Sequence, residues 1–105
     1  MRHYYLMAVN VEDLGEFGDP TLEPLQTLAE TFTPEIIPQD LLLTIRTWRV
    51  VNECGNYVGN IQMRGDTVVL IYPQLEGELC DGLRIQEVRY LMQRPKEWGG
   101  EAVVK

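Results

Sequence analysis

The chain has no serine, one histidine (His3), two cysteines (Cys54 and Cys80) and two lysines among 105 residues. Each shortage removes a chemistry. A nucleophilic triad needs Ser or Cys within hydrogen-bond reach of a base. Without serine only a cysteine with His3 remains, and no motif joins them. Structural zinc takes four Cys or His ligands, usually in close pairs. Three such residues, with no C-x-x-C and no H-x-x-x-H, do not supply that set. Neither G-x-x-x-x-G-K-[ST] nor G-x-G-x-x-G occurs, so the backbone phosphate cradles are missing. No metal and no cofactor is expected.

Long apolar runs are missing too. The longest is Tyr4 to Val9, far short of a membrane span. No charged segment followed by an apolar one opens the chain, so no secretory signal is expected. Two cysteines in such a chain read as reduced thiols in the cytoplasm, with a disulfide as the alternative. Positive charge is scarce: 9 bases face 16 acids, for a net charge of -7. That disfavours direct nucleic-acid binding, which neutralises phosphates.

What is present suits one domain over residues 1–105. Hydrophobic residues make up 45%. A chain of this length buries roughly two-thirds of its unfolded surface, enough for one core.

Residues 3–11 are aromatic, β-branched and nearly all apolar, the pattern of a central strand covered on both faces. Residues 12–19, acidic with two glycines, read as a loop. Asp19 as N-cap and Pro20 at the first helical position start a helix over 20–32. Its apolar face is Leu22, Leu25, Leu28, Ala29 and Phe32. Residues 34–40 read as a linker. Residues 41–51, rich in Thr, Ile, Val and Trp, predict a strand, with a helix as the alternative. A turn at 52–56 and an alternating strand at 57–63 follow. Arg64-Gly65-Asp66 then connects to a buried strand at 67–72, giving a hairpin. Pro73 stops it, and 74–82 is an acidic loop. Leu83, Ile85, Val88, Leu91 and Met92 form a helical stripe that predicts a second helix over 82–94. Residues 102–104 suit a short edge strand.

The expected fold is therefore α+β: a two-layer sandwich with two helices on one face of a mostly antiparallel sheet of four or five strands. The order is β-α-β-β-β-α-β. A helical 41–51 would instead give a split βαβ, ferredoxin-like arrangement.

Function has to be read from charge. Residues 1–40 carry one base and eight acids, whereas 41–105 carry eight of each. The whole net charge thus lies in a proline-rich N-terminal segment. Its carboxylates, like Glu76, Glu78 and Asp81, do not follow a calcium-loop pattern and read as solvated charge. Arg64-Gly65-Asp66 spells an integrin-binding tripeptide, but reads as a hairpin turn. Seven of the nine bases are arginine, the better partner for planar anions. Arg46 and Arg49 flank Trp48, and Trp98 is a second aromatic anchor.

These features favour a small non-enzymatic binding protein. Glu12, Asp13, Glu16, Asp19 and Glu23, with Trp48 and Arg46, form the candidate surface, and the partner is a protein with a basic face. Compact acidic domains lacking catalytic residues recur among virus- and mobile-element-encoded inhibitors of host proteins, an analogy of class only. The alternatives are a structural or homo-oligomerising subunit, using Trp48, Trp98 and an edge strand, or a ligand-sensing domain or enzyme. The last would converge Tyr4, Tyr57, Tyr72 or Tyr90 with an arginine on an anion.

Overall fold

Three eleven-residue strands, β1 (Leu6–Glu16), β3 (Leu42–Asn52) and β6 (Leu83–Gln93), form the body of the larger sheet in the computed structural model, which describes residues 3–75 and 77–105. With the five-residue β2 (Glu35–Gln39) they give a four-stranded antiparallel sheet in the order β1-β6-β3-β2. A second sheet holds the hairpin β4 (Asn60–Arg64) and β5 (Thr67–Ile71), with β7 (Ala102–Val104) parallel to β5. One helical segment lies between β1 and β2: a 3-10 turn at Pro20–Leu22 running into α1, Glu23–Glu30. The described residues thus form mostly antiparallel sheets with a single helix.

The two sheets pack face to face. Alternation in the central strands sends Leu43 and Ile45 of β3, and Val88, Tyr90 and Met92 of β6, toward Ile61, Val68, Leu70 and Val104 of the smaller sheet. All nine are buried. The opposite face of β3 and β6 carries Trp48 and Ile85, and α1 packs there with Ala29 buried. The layers run helix, four-stranded sheet, three-stranded sheet. Gly15 allows the close approach of the helical segment. It follows a bulge in β1 at φ +140°, and an added Cβ would lie 2.9 Å from Leu22 Cδ1.

Polar groups also tie the sheets together. The buried Arg49 donates to the carbonyls of Leu70 and Lys105, at 3.2 and 2.9 Å. The Tyr90 hydroxyl donates to the Ile71 carbonyl at 2.9 Å. Burial is the main reason its pKa rises from 10.0 to about 12. A raised tyrosine pKa makes the neutral form the stabilising one. Its contribution is complete below pH 10 and disappears as pH rises through about 12. Spectrophotometric titration should therefore show a late phenol, absent in Tyr90→Phe. That variant should cost about 1 kcal/mol at neutral pH. A Tyr90→Phe titration identical to that of the parent would contradict this assignment.

Several expectations are corrected. Residues 83–93 are strand, not helix. Their apolar stripe also fits a strand buried on both faces, and β6 supplies the partner for both β1 and β3. The strand that starts the chain is an edge rather than a central one, and it extends through the acidic residues expected to be a loop. The expected linker contains β2, which forms a hairpin with β3. Residues 42–52 are strand, so the ferredoxin-like alternative falls. The two expected layers are three.

Candidate protein-binding surface

On the helix-side face of the larger sheet, a charged row crosses all four strands. Glu87 of β6 sits at its centre with its side chain 5% exposed. Arg46 of β3 donates to it through Nε at 3.1 Å and also through Nη2. Arg89 donates through Nε at 2.6 Å. Arg46 Nη1 reaches on to Glu35 of β2 at 3.1 Å, and Arg89 Nη2 lies 3.7 Å from Glu12 of β1. The register explains the row. Arg46 and Arg89 are directly opposed across β3 and β6, and a carboxylate one pleat away bridges two cations that would otherwise repel. Burial pushes the Glu87 carboxyl up, but the hydrogen bonds and charges of both arginines outweigh it, and its pKa lies below the ordinary value. The hydrogen bond to Glu87 correspondingly raises Arg46.

This row places the residues expected to bind a partner. Arg46 is engaged by two carboxylates and lies 5.2 Å over the Trp48 ring. Trp48 is only 4% exposed and so presents no face to a partner, which corrects its reading as a surface anchor. Glu12 faces Arg89. Asp13 receives Arg84 Nε on both oxygens at 3.1 and 3.0 Å. Asp19 caps the helical segment, accepting from the Thr21 N–H at 2.9 Å, and that bond lowers its pKa. Glu23 occupies the first turn of α1, where a helix favours negative charge. Much of the N-terminal acid is thus engaged within the fold.

A different group of acids converges where β1 and β3 end and β6 begins. Phe17 N–H donates to the Leu83 carbonyl, and Glu53 N–H to the Gly82 carbonyl, both at 3.0 Å. Cys54 and Cys80 form a disulfide with Cα atoms 5.7 Å apart, which overturns the reading of two reduced thiols. Asn52 fixes the same turn: its Oδ1 accepts from the N–H groups of Cys54 and Cys80 at 3.0 and 3.1 Å. Glu53, Glu78 and Asp81 lie within two residues of the linked cysteines, Glu16 ends β1 opposite Arg84 of β6, and none of the four makes an ion pair among the described residues. Phe17, Leu79 and Leu83 stand exposed among them. Of these, only Glu16 belongs to the expected surface. The others come from distant sequence, joined by strand pairing and the disulfide. The spacing of the two cysteines was the one signal that linked them.

The tyrosine–arginine pocket does not assemble as an open site. Arg49, Tyr72 and Tyr90 lie between the sheets, where the Arg49 Nη atoms and the Tyr90 hydroxyl donate to backbone carbonyls, and Tyr72 donates to Gln86 at 2.8 Å and stacks on Tyr57 at 5.2 Å. Tyr4 is 79% exposed at the far end of the strands. Trp98 is half-buried against the core, its Nε1 donating to the Glu101 carbonyl. Among the described residues no three of His, Cys, Asp and Glu are grouped to hold a metal ion, and no helix is long and apolar enough to cross a membrane. Glu76, one of the sequence's acidic candidates, lies outside the described residues. Comparison of the chain with protein families, curated proteins and solved structures gives no match.

Proposed function

We propose that the chain is a non-enzymatic binding protein whose acidic end docks on a basic, partly apolar surface of a protein partner. One observation carries this reading: at the end of the sheet where Cys54–Cys80 cross-links the loops after β3 and before β6, Phe17, Leu79 and Leu83 are exposed, and Glu16, Glu53, Glu78 and Asp81 make no ion pair among the described residues. Apolar anchors ringed by one sign of charge combine burial with electrostatic steering. The cross-link reduces the ordering that binding would otherwise require. Occupation of a surface that normally holds nucleic acid, as an inhibitor would achieve, is the specific form of this reading. A disulfide persists in oxidising surroundings, so the cytoplasmic placement expected from reduced thiols loses its ground.

The oligomerisation alternative has less behind it. The outer edge of β1 is interrupted by two bulges and carries Glu12, Asp13 and Glu16, features that discourage edge-to-edge pairing.

The test is affinity capture at two salt concentrations, followed by calorimetry with the captured protein. Reversing Glu16, Glu53, Glu78 and Asp81 to lysine should abolish capture, and Phe17→Ser with Leu79→Ser should weaken it at least tenfold. Unchanged capture by the charge-reversed protein at physiological salt would sink the reading.

A further inference from the structure

At the opposite end of the strands, where β1 and β3 begin and β6 ends, lies a cleft of about 400 Å³. Met7, Leu41 and Leu42 form its apolar walls, and Gln93, Arg94 and Lys96 line the rest. The walls are held in register: Arg94 N–H donates to the Leu41 carbonyl at 2.8 Å, and Gln93 N–H to the Tyr5 carbonyl at 2.9 Å. Leu41 is 83% exposed and Met7 46%, so apolar surface is left uncovered. Among the described residues no carboxylate lines this cleft, although the chain has 16 acids and 9 bases. Glu97 belongs instead to a neighbouring cleft of about 360 Å³ that shares Lys96. Arg94 and Lys96 make no ion pair among the described residues, whereas Arg46, Arg84 and Arg89 are all matched to carboxylates. The Arg94 guanidinium rests 5.5 Å over the Trp98 ring.

We infer that this cleft binds a small carboxylate with an alkyl tail, the tail on Met7, Leu41 and Leu42 and the carboxylate on Arg94 and Lys96. The volume lies within the range of small-molecule sites. Arginine offers a carboxylate two parallel donors, and lysine adds a second charge. Apolar walls beside two cations that make no ion pair among the described residues complement both halves of such a ligand, where a neutral lipid or a bare anion satisfies one half only. The assignment is independent of the acidic end and stands or falls separately from it.

Octanoate is the probe, read by methyl chemical shifts at Met7, Leu41 and Leu42 and by Trp98 fluorescence. Saturable binding is expected, weakening about two- to fourfold for each methylene removed. Octylammonium, with the same tail and the opposite charge, should not saturate. The double variant R94E/K96E should lose about tenfold or more in affinity. L41D, at an exposed position, should lose binding without altering the cations' fold context. Circular dichroism establishes that both variants are folded. The assignment is overturned if octanoate gives no saturable shift, if R94E/K96E binds it as well as the parent, or if the shifts map elsewhere. It is also overturned if octanoate fails to bind while R94E/K96E abolishes self-association in light scattering, because the cleft would then hold a second copy of the chain.

Discussion

Replacing both cysteines, Cys54→Ala with Cys80→Ala, should lower the melting temperature by roughly 15 °C. The cross-link joins positions 26 residues apart. Closing a ring of that size restricts the unfolded chain by about 3.5 kcal/mol in the loop-entropy model. The native state has little else to hold this end. Between β3 and β6, outside the β4–β5 hairpin, the described backbone makes one isolated bridge, Tyr57 to Gln74, and a few single hydrogen bonds. Calorimetry of the double variant, and of the parent under reductant, should give the same shift. A change of less than about 3 °C would mean that the Asn52 hydrogen bonds alone secure these loops. Partner capture by the acidic end should fall in parallel, because Glu53, Glu78 and Asp81 are positioned by the same loops.

Glu87→Ala should cost about 2 to 3 kcal/mol, measured by denaturant unfolding. The variant leaves Arg46 and Arg89 facing each other without their bridging carboxylate. The figure sits at the low end for a broken ion pair because both arginines are partly exposed, with side chains 32% and 48% accessible. Glu87→Gln keeps the shape and loses the charge, so a smaller loss is expected. The pH dependence has a definite sign. The folded pKa of Glu87 is below its unfolded value, so its charge contributes fully above the ordinary carboxylate range. That contribution is lost as pH falls through the folded value. The stability gap between the parent and Glu87→Gln should therefore narrow below about pH 4. A gap that stays constant to low pH would show that Glu87 acts through packing and not through charge.

Local chemistry was legible where one short segment decides the outcome. The Asp19-Pro20 cap and the Leu22, Leu25, Leu28, Ala29 spacing mark the helical segment that runs from Pro20 to Glu30. The 41–51 segment reads as strand because Thr, Ile, Val and Trp fit a pleated surface, and β3 occupies 42–52. The hairpin about Arg64-Gly65-Asp66 likewise follows from alternation and a glycine turn, with Gly65 at φ +62°. The misreading of 82–94 has a physical cause. Ile85, Val88, Leu91 and Met92 satisfy a helical stripe, but a strand packed on both faces presents the same apolar residues, and periodicity alone does not separate the two. Neighbouring strands decide it, and those neighbours, Asp13 and Arg49 for Gln86 among them, are far away in sequence.

The same distinction applies to function. By itself the sequence determined a surplus of acid in the first 40 residues, the absence of serine, and a count of three Cys and His residues with no close pair. These follow from counting and spacing. Only the tertiary structure decided which charges remain available. Strand register matches Glu12 to Arg89, Asp13 to Arg84 and Glu35 to Arg46, and so removes them from the unpaired acid. It also brings Glu16 to the end of the sheet that holds Glu53, Glu78, Asp81 and the Cys54–Cys80 link, and leaves Arg94 and Lys96 beside an apolar cleft at the other end. Charge is a property of single residues, whereas its pairing depends on distances of a few ångströms between strands remote in the chain.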